Sequence, residues 1–396
     1  MVKDVSIIIG ANYGDEGKGR MSDYLANKAI QAGQSTITIL SNGGAQRGHT
    51  VVLDNGFTHI FHHFGSGTLT GADTYLPQSF IVNPMIFMKE YNELLNSPLG
   101  RDTSLWPKIF VDPACLISTP FDMMNNQIIE EHRTHRHGSC GVGIWETILR
   151  QGASFHDFYM MTNEQLFTYL KWVRDTYSAK RLSDKNIKSF GAWKDIYFND
   201  NMIHNYIKDF RQMSALINVD MTGGSFLKSY DHLIFENGQG LLIDYDSDPV
   251  YSTPSYTGLK EPLKIINRLK ENDYNVNVEA YYISRSYCTR HGMGNLRFEY
   301  DPKDIRGLQL NLNSETNKFN TNQGIFRYGK IDNFDDVRAS IEQDLYKNNY
   351  VVDNKNANVV ITHCDELDVP FNKIFGLGKT YKVYGPKRND PVNIVN

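Results

Sequence analysis

Cysteine is scarce: the 396 residues hold four, at Cys115, Cys140, Cys288 and Cys364. So few, so widely spread, exclude a disulfide scaffold. No two stand in a C-x-x-C spacing, which removes the usual structural zinc motif. Long apolar runs are missing too, and no window approaches 18 uncharged apolar residues, so no membrane-spanning helix is expected. Met1-Val2-Lys3-Asp4-Val5-Ser6 runs straight into an apolar strand, without the apolar stretch and small-residue cleavage site of a secretory leader. A cytoplasmic location is expected. Charge of one sign is also lacking: 41 Lys and Arg face 45 Asp and Glu, a net −4. That balance leaves no electrostatic footprint for a general nucleic-acid binder. Pro-rich linkers, internal repeats and low-complexity segments are absent. What is present is a globular composition, 40% hydrophobic and 22% charged, in a chain long enough to bury a substantial core.

Val5 to Ile9 is a short apolar run ending in Gly10, the pattern of a buried parallel strand. A Gly-rich loop follows to Gly19. Arg20 to Ala32 reads as a helix with Met21, Tyr24, Leu25 and Ala29 on one face, and Ser35 to Leu40 as a second strand. Strand, loop, helix and strand make a βαβ unit and imply a parallel sheet. Later strands are expected at Ile109–Val111, His232–Phe235, Asn277–Ile283 and Asn358–Thr362. The polar, periodic stretch from Asn163 to Lys228 reads as helical, and the Asn-rich stretches near 311–322 and 353–358 as loop. No clean boundary divides the chain. The expected fold is α/β: a large, mostly parallel central sheet with flanking helices and a P-loop-like N-terminal phosphate loop. It forms one domain over 1–396 with helical insertions at about 115–230.

The strongest local signal is Gly10-Ala11-Asn12-Tyr13-Gly14-Asp15-Glu16-Gly17-Lys18-Gly19. Glycines let backbone N–H groups close on phosphate oxygens, the following helix N-terminus favours negative charge, and Lys18 supplies a cation. It is not a Walker A loop: Asn12 stands where Gly is needed, and Gly19 where Ser or Thr is needed. That disfavours a P-loop kinase. Asp15 and Glu16 would repel phosphate, and make sense if one coordinates Mg²⁺ or takes a proton. The bland alternative is a tight turn with solvated charges. A second Gly-rich segment, Asn42 to Thr50, carries His49. Alone it is weak evidence, and a satisfied loop histidine is the simpler reading. Beside the first loop it gains weight, because both lie at strand ends.

Together these residues resemble adenylosuccinate synthetases. The family opens with a strand and G-x-x-W-G-D-E-G-K-G-K, and carries G-G-x-N-A-G-H-T about 25 residues later. Here the counterparts are Tyr13 to Gly19 and Gly43 to Thr50, in the same order and spacing. His63 to Leu69 is similar to the family's H-x-x-P-S-G-x-L, Gly138 to Ile144 to G-T-T-G-R-G-I, and Glu236 to Gly240 to E-G-A-Q-G. Tyr287 to Gly294 resembles Y-S-T-R-V-G-A-G, Thr362 to Asp365 resembles T-K-L-D, and Gly385 to Arg388 resembles G-P-D-R.

The resemblance implies a C–N ligase that joins L-aspartate to position 6 of a purine nucleoside monophosphate, using a nucleoside triphosphate and Mg²⁺. It puts Asp15 at the purine N1 proton, His49 as general acid, Lys18 on the phosphates and Gln239 beside the base or phosphate, a familiar acid–base division. Gly14, Asp15, Glu16, Gly17, Lys18, Gly19, Gly48, His49 and Thr50 would hold phosphate. His363, Asp365, Gly385 and Pro386 would hold the rest of the triphosphate donor. Gln46, Ser139, Cys140, Arg150, Gln239 and Thr253 would take the monophosphate, with Cys140 a weaker hydrogen-bonding group than the family's Thr. Arg150 matches an arginine that reaches the partner subunit's nucleotide, which implies a homodimer; a solvated helix-end arginine is the plain alternative. Asn322, Gln323, Gly324 and Arg327 would bind aspartate. Asp15 and the Gly48 carbonyl would bind Mg²⁺.

Departures from the family bear on specificity. Its T-T-G-R-R-R-R loop becomes Asn322-Gln323-Gly324-Ile325-Phe326-Arg327, so Ile325 replaces an arginine that the resemblance sets near the ribose. That favours a deoxynucleotide. His363 lacks the Lys stem that packs beside the donor base, which relaxes donor choice from GTP toward ATP or dATP. Some bacteriophages carry a relative that acts on dGMP, and this chain looks more like that branch. Asp15, where many such enzymes have Ser, speaks instead for IMP. The expected acceptor is dGMP, with IMP and GTP as the alternative and a non-catalytic GTP-binding regulator as a reading of another class.

Overall fold

The computed structural model describes residues 3–248, 250–270, 275–311, 315, 322–331, 334–369 and 376–395. Most of the Asn-rich stretch near 311–322 therefore lies outside the described residues. The ten strands of the main sheet, numbered in chain order, are β1 (Lys3–Gly10), β2 (Thr36–Ile39), β3 (Asp73–Leu76), β4 (Ile109–Val111), β5 (Asn218–Val219), β6 (His232–Glu236), β7 (Val276–Arg285), β8 (Ala357–Thr362), β9 (Thr380–Val383) and β10 (Val392–Val395). Their spatial order is β5-β4-β3-β2-β6-β1-β7-β8-β9-β10. Every pairing is parallel except β9 with β10. Helices cover the sheet, as continuous apolar strands such as Val5–Ile9 require.

β1 and β2 are parallel and joined through the helix α1 (Lys18–Gln31), but they are not neighbours. β6 sits between them, registering Val5 with Leu233 on one side and Leu233 with Ile37 on the other. The chain runs outward from β2 to β5, returns for β6, and then continues beyond β1. Ligands in open parallel sheets bind at such reversals, outside the carboxyl ends of the strands. α1 starts at Lys18, two residues before the expected Arg20, where Gly17 caps it with a left-handed φ of 89°. Its buried face holds Met21, Ala26 and Ala29, and also Ser22 and Asp23.

The second Gly-rich segment is less of a loop than its composition suggests. His49–Val52 is a strand, paired antiparallel with Thr58–Phe61 so that His49 faces Phe61. Between β4 and β5 the chain is helical in pieces, including Pro120–Glu131, Ile144–Arg150, Asn163–Trp172 and Asp200–Leu216. These pack with the hairpin and with Pro84–Leu94 around one apolar cluster containing Phe61, Phe87, Phe121, Phe158 and Phe210. A second cluster, with Ile7, Phe235, Tyr282 and Ile361, fills one face of the sheet. No helix among the described residues is long and apolar enough to cross a membrane.

Candidate active site

A cleft of about 950 Å³ opens along the carboxyl ends of β1, β6, β7 and β8. That is the upper end of the size range for small-molecule sites. Its wall includes Tyr13 to Arg20, Ala45 to Thr50, Gln239, Arg285, Arg290, His291, Thr362 and His363. The two Gly-rich segments thus face one space.

The first loop is braced from beneath by its own acid. Glu16 is 1% exposed. Its Oε1 accepts from the Asn12 and Gly14 amides at 3.1 and 2.7 Å, and its Oε2 from Lys18 Nζ at 2.6 Å. The carboxylate is therefore occupied inside the loop, and of the two acids, one of which is expected to hold metal or take a proton, Asp15 is the one not tied into the loop. Gly19 also has a local reason. A Cβ there would lie 2.9 Å from His49 Cβ, so the hydroxyl residue of a Walker loop does not fit. Gly240 is required similarly, since a Cβ would meet the Asn12 carbonyl at 2.3 Å.

Asp15 adopts a left-handed φ of 62°, sparsely populated for a residue with a side chain. The turn is held by Arg285, whose Nε donates to the Asp15 carbonyl at 2.7 Å. The carboxylate, 27% exposed, meets His291 Nδ1 at 3.0 Å. Burial works to raise the Asp15 carboxyl, but the His291 contact, with Lys18 and Arg285 behind it, holds it below its ordinary value. It is an ionised base at neutral pH.

His49 forms the second acid–base pair. Its Nδ1 lies 2.5 Å from Glu236 Oε1, with both side chains buried. Glu236 Oε2 accepts from the Ser66 amide at 3.1 Å, and the Glu236 carbonyl accepts from Arg47 Nη2. Burial pushes the imidazole down to about 4 against the pull of Glu236. Burial opposes ionisation of Glu236 as well, but His49 and Arg47 bring it down to about 2. With Nδ1 committed to the carboxylate, Nε2 is the ring atom left for a ligand.

Gln46, Gly48, Ser139, Cys140, Gln239, Thr253, Gln323, His363, Asp365, Gly385 and Pro386 line the same cleft. Gln239 and His363 are, like Asp15, in left-handed conformations. Ser139 donates to Asn126 at 3.2 Å, and burial raises the Cys140 thiol. His363 Nδ1 lies 2.9 Å from Thr362 Oγ1, and Asp365 accepts from the Gly385 amide at 2.9 Å.

Other expected residues lie elsewhere. Arg150 is 7% exposed and faces inward. Its Nε and Nη2 grip Asp122 at 2.9 and 3.0 Å, Nη2 donates to the Ile117 carbonyl, and Nη1 to Tyr169. Asp122 caps the Pro120–Glu131 helix from a fully buried position, and a buried carboxylate needs that counter-ion. Arg150 is thus tied to Asp122, Tyr169 and the Ile117 carbonyl of its own chain. Arg327 is bidentate to Glu299 at 2.8 and 2.5 Å, and Nη1 donates to the Gly292 and Gly294 carbonyls. Its fork is occupied and it does not line the cleft. Asn322 bonds the Cys140 carbonyl at 3.3 Å behind the lining, and Gly324 is also outside it. Ile325 is 68% exposed and away from the cleft.

Sequence reasoning passed over Glu236 and His291, although both stand inside motifs it quoted. A buried acid beside a loop histidine was the available signal for Glu236. Glu90 had no motif at all. From the Pro84–Leu94 helix it gathers the His62, His63 and Phe64 amides at 2.9, 2.7 and 3.3 Å and so fixes the segment that turns His62 to the cleft.

The adenylosuccinate synthetase family profile matches residues 7–382. The chain belongs to that family. It is 28% identical over 252 residues to the adenylosuccinate synthetase of Acaryochloris marina, covering 61% of this chain and 51% of the relative. The Borrelia duttonii enzyme is 26% identical over 247 residues, covering 60% and 52%. The chain thus spans about half the length of the curated relatives it matches. The fold is shared with the fully ligated adenylosuccinate synthetase of Plasmodium falciparum (TM-score 0.65, 21% identity, 92% of this chain and 78% of that one). It is also shared with the succinoaminodeoxyadenylate synthetase of cyanophage S-2L, solved with dGMP and with dATP as an energy donor (TM-score 0.62, 14% identity, 100% and 96%).

Proposed function

We propose that the chain is a ligase that joins L-aspartate to position 6 of a purine nucleoside monophosphate at the expense of a nucleoside triphosphate. The carrying observation is that one cleft brings the phosphate loop, the Asp15–His291 pair and the His49–Glu236 pair together. Asp15 takes the purine N1 proton, making O6 nucleophilic. O6 then accepts the γ-phosphoryl group, and the nucleoside diphosphate leaves. His49, oriented by Glu236, stabilises charge at O6 and the transferring group. The aspartate amine attacks C6, and inorganic phosphate departs with the C–O bond. The loop amides and Lys18 hold the triphosphate, with Gly385 and Pro386 at its far end. Gln46, Ser139, Cys140, Gln239 and Thr253 surround the monophosphate.

Asp15 and the Gly48 carbonyl are the oxygen donors offered to Mg²⁺. Among the described residues no cluster of three or more ligating side chains exists, so an all-protein cage is excluded there. One ionised carboxylate and one carbonyl suit an ion that keeps waters and substrate phosphates in its shell. Bound there, Mg²⁺ supplies charge neutralisation on the phosphates.

The acceptor we favour is dGMP, with ATP or dATP as donor. Support comes from the end-to-end match to the cyanophage enzyme, where both chains are covered almost fully, and from the replacement of the family's Lys by His363. IMP with GTP is the competing pair. Phosphate release measured with IMP, dIMP, GMP and dGMP, each with GTP, ATP and dATP plus L-aspartate, decides between them. Release that needs neither monophosphate nor aspartate removes the ligase reading.

A further inference from the structure

A second cavity, of about 420 Å³, lies outside the carboxyl ends of β2 to β5, beside the active-site cleft, and contains none of the site residues described above. That volume is ordinary for a small-molecule site. Its buried end is acidic. Tyr75 and Asp112 line it, and Asp112 and its neighbour Asp220 are 8% and 4% exposed. Both carboxylates lean on one hydroxyl, Tyr75 Oη, at 3.4 and 3.2 Å, so a single O–H hydrogen is shared between them. Among the described residues Asp112 Oδ2 has no other hydrogen bond, and neither acid meets a cation. The exposed end is basic. Lys264 and Arg268, one turn apart on the Lys260–Lys270 helix, both line the cavity. Lys264 holds Glu261 at 2.7 Å, and Arg268 has no hydrogen bond or ion pair among the described residues. Ile265, Leu269 and Tyr256 add apolar wall, with the Tyr256 ring fixed by Lys260 Nζ 3.2 Å from its centre.

Unpaired charges of opposite sign at the buried and exposed ends select the ligand. A plain anion leaves the acids without donors, and a plain cation must pass the exposed bases. A single amino acid would serve both ends but leave most of the 420 Å³ and the apolar wall empty. A phosphate suits Lys and Arg together, amine N–H groups suit buried carboxylates, and a flat base suits apolar side chains. We propose that the cavity is a second nucleotide site. It takes a nucleoside monophosphate whose base carries an exocyclic amino group, with the amine at Asp112 and Tyr75 and the phosphate at Lys264 and Arg268. Segment 252–256 separates it from the cleft: Ser252 and Thr253 line the cleft, Ser255 and Tyr256 the cavity, and Pro254 both. Asn42, also in the lining, bonds Ser255 Oγ at 3.4 Å and accepts from the Gly238 amide at 2.6 Å, next to Gln239. Occupancy therefore bears on the wall that carries Thr253 and Gln239. The site is independent of the ligase reading, and its test reads binding rather than turnover, so either can fail alone.

The test is photolabelling of the full chain with 8-azidoadenosine monophosphate, the labelled peptides being mapped by mass spectrometry and thermal unfolding serving as the fold check. Label is expected within residues 254–269, apart from any label in the cleft. In the Lys264→Glu, Arg268→Glu double variant, label in 254–269 should fall by about tenfold or more, the loss of charge-assisted contacts to phosphate. Adenosine monophosphate should displace that label at a concentration about tenfold or more below that of inosine monophosphate, which has an oxygen in place of the amine. Asp112→Asn, which removes the charge and adds a donor, should bring the two competitors together. Absence of label from 254–269 in the wild type overturns the proposal, as does label that the folded double variant keeps. Equal competition by the two monophosphates in the wild type overturns it, and so does displacement by inorganic phosphate at the same concentration as adenosine monophosphate, which would leave an anion site only. A preference for adenosine monophosphate unchanged in Asp112→Asn overturns it too. If the double variant does not fold, Arg268→Gln decides: label equal to wild type overturns the proposal.

Discussion

The charged groups of the two Gly-rich segments and the arginines around them are held in different ways. Around Gly10–Gly19, Gly43–Thr50 and Glu236, short side chains on fixed backbone meet one another: Glu16 braces its own loop, and His49 meets Glu236, 187 residues away in sequence. Elsewhere, long guanidinium groups pair with carboxylates 28 to 30 residues away in sequence: Arg327 with Glu299, Arg285 with Glu315, Arg150 with Asp122. Short side chains on fixed backbone keep their function wherever the motif is kept. A long guanidinium takes whichever carboxylate the fold places within reach. Motif matching therefore locates short side chains on fixed backbone more closely than it locates the partner of a long guanidinium.

The largest expected effect sits on the arginine side and concerns stability. Arg150→Leu leaves Asp122 buried without its counter-ion, which should cost about 3–5 kcal/mol. Urea unfolding measures it. A stable variant with weakened nucleotide binding would instead restore Arg150 to a site across a subunit boundary.

Asp15→Asn is the matching test in the Gly-rich segments. The loop is shaped by its glycines, Glu16 and Arg285, so the fold should persist while turnover falls by roughly 10³-fold, within the usual range for a general base. Activity within a few-fold of wild type would remove Asp15 from proton transfer. His49→Asn should lose about 10²-fold in kcat. Glu236→Gln acts through the same imidazole, so the double variant should be little worse than His49→Asn alone. Losses that multiply would mean that the two residues work separately.

The same pair predicts a pH window. The His49 imidazole falls from 6.5 to about 4 on folding, so between those values the unfolded chain binds the extra proton. Stability contributed by the neutral, buried ring is complete above 6.5 and is lost as pH falls toward 4. Glu236, lowered from 4.5 to about 2, adds its own loss only below 4.5. Unfolding free energies measured between pH 7.5 and 5 should therefore decline in wild type, and less steeply in His49→Asn. Equal slopes would show that His49 does not titrate differently on folding.

What the sequence made legible follows the same division. β1, β2 and four later strands could be read because buried parallel strands are continuous apolar runs, and α1 could be read from its apolar face from Arg20 onward, two residues after its start at Lys18. The placing of β6 between β1 and β2 could not be read, since strand order depends on contacts across 200 residues. The hairpin at His49 was hidden by the glycines before it. Asp15, Lys18 and His49, picked out by spacing, line one cleft. Glu236 and His291 were not singled out, because each acquires a role only through the residue it meets. Arg150 and Arg327 were assigned by the resemblance, and their pairing with Asp122 and Glu299 could not be read from it.

The smallest expected effect concerns the sugar. The family pattern puts an arginine at position 325 near the ribose, and its loss argued for a deoxynucleotide. In the folded chain Ile325 is 68% exposed and outside the cleft lining. A substitution at such a position typically shifts free energies by about 0.5 kcal/mol or less, near twofold in a rate ratio. Ile325→Arg should therefore change the dGMP-to-GMP ratio of kcat/KM by no more than about twofold, while the wild type still uses the deoxynucleotide at least as well as GMP. If the arginine shifts preference to GMP by tenfold, the 322–327 segment must close over the sugar when substrates bind. The exposed isoleucine would then be a specificity residue seen in the open state. If the wild type itself prefers GMP or IMP by that margin, the deoxynucleotide reading falls whatever position 325 does.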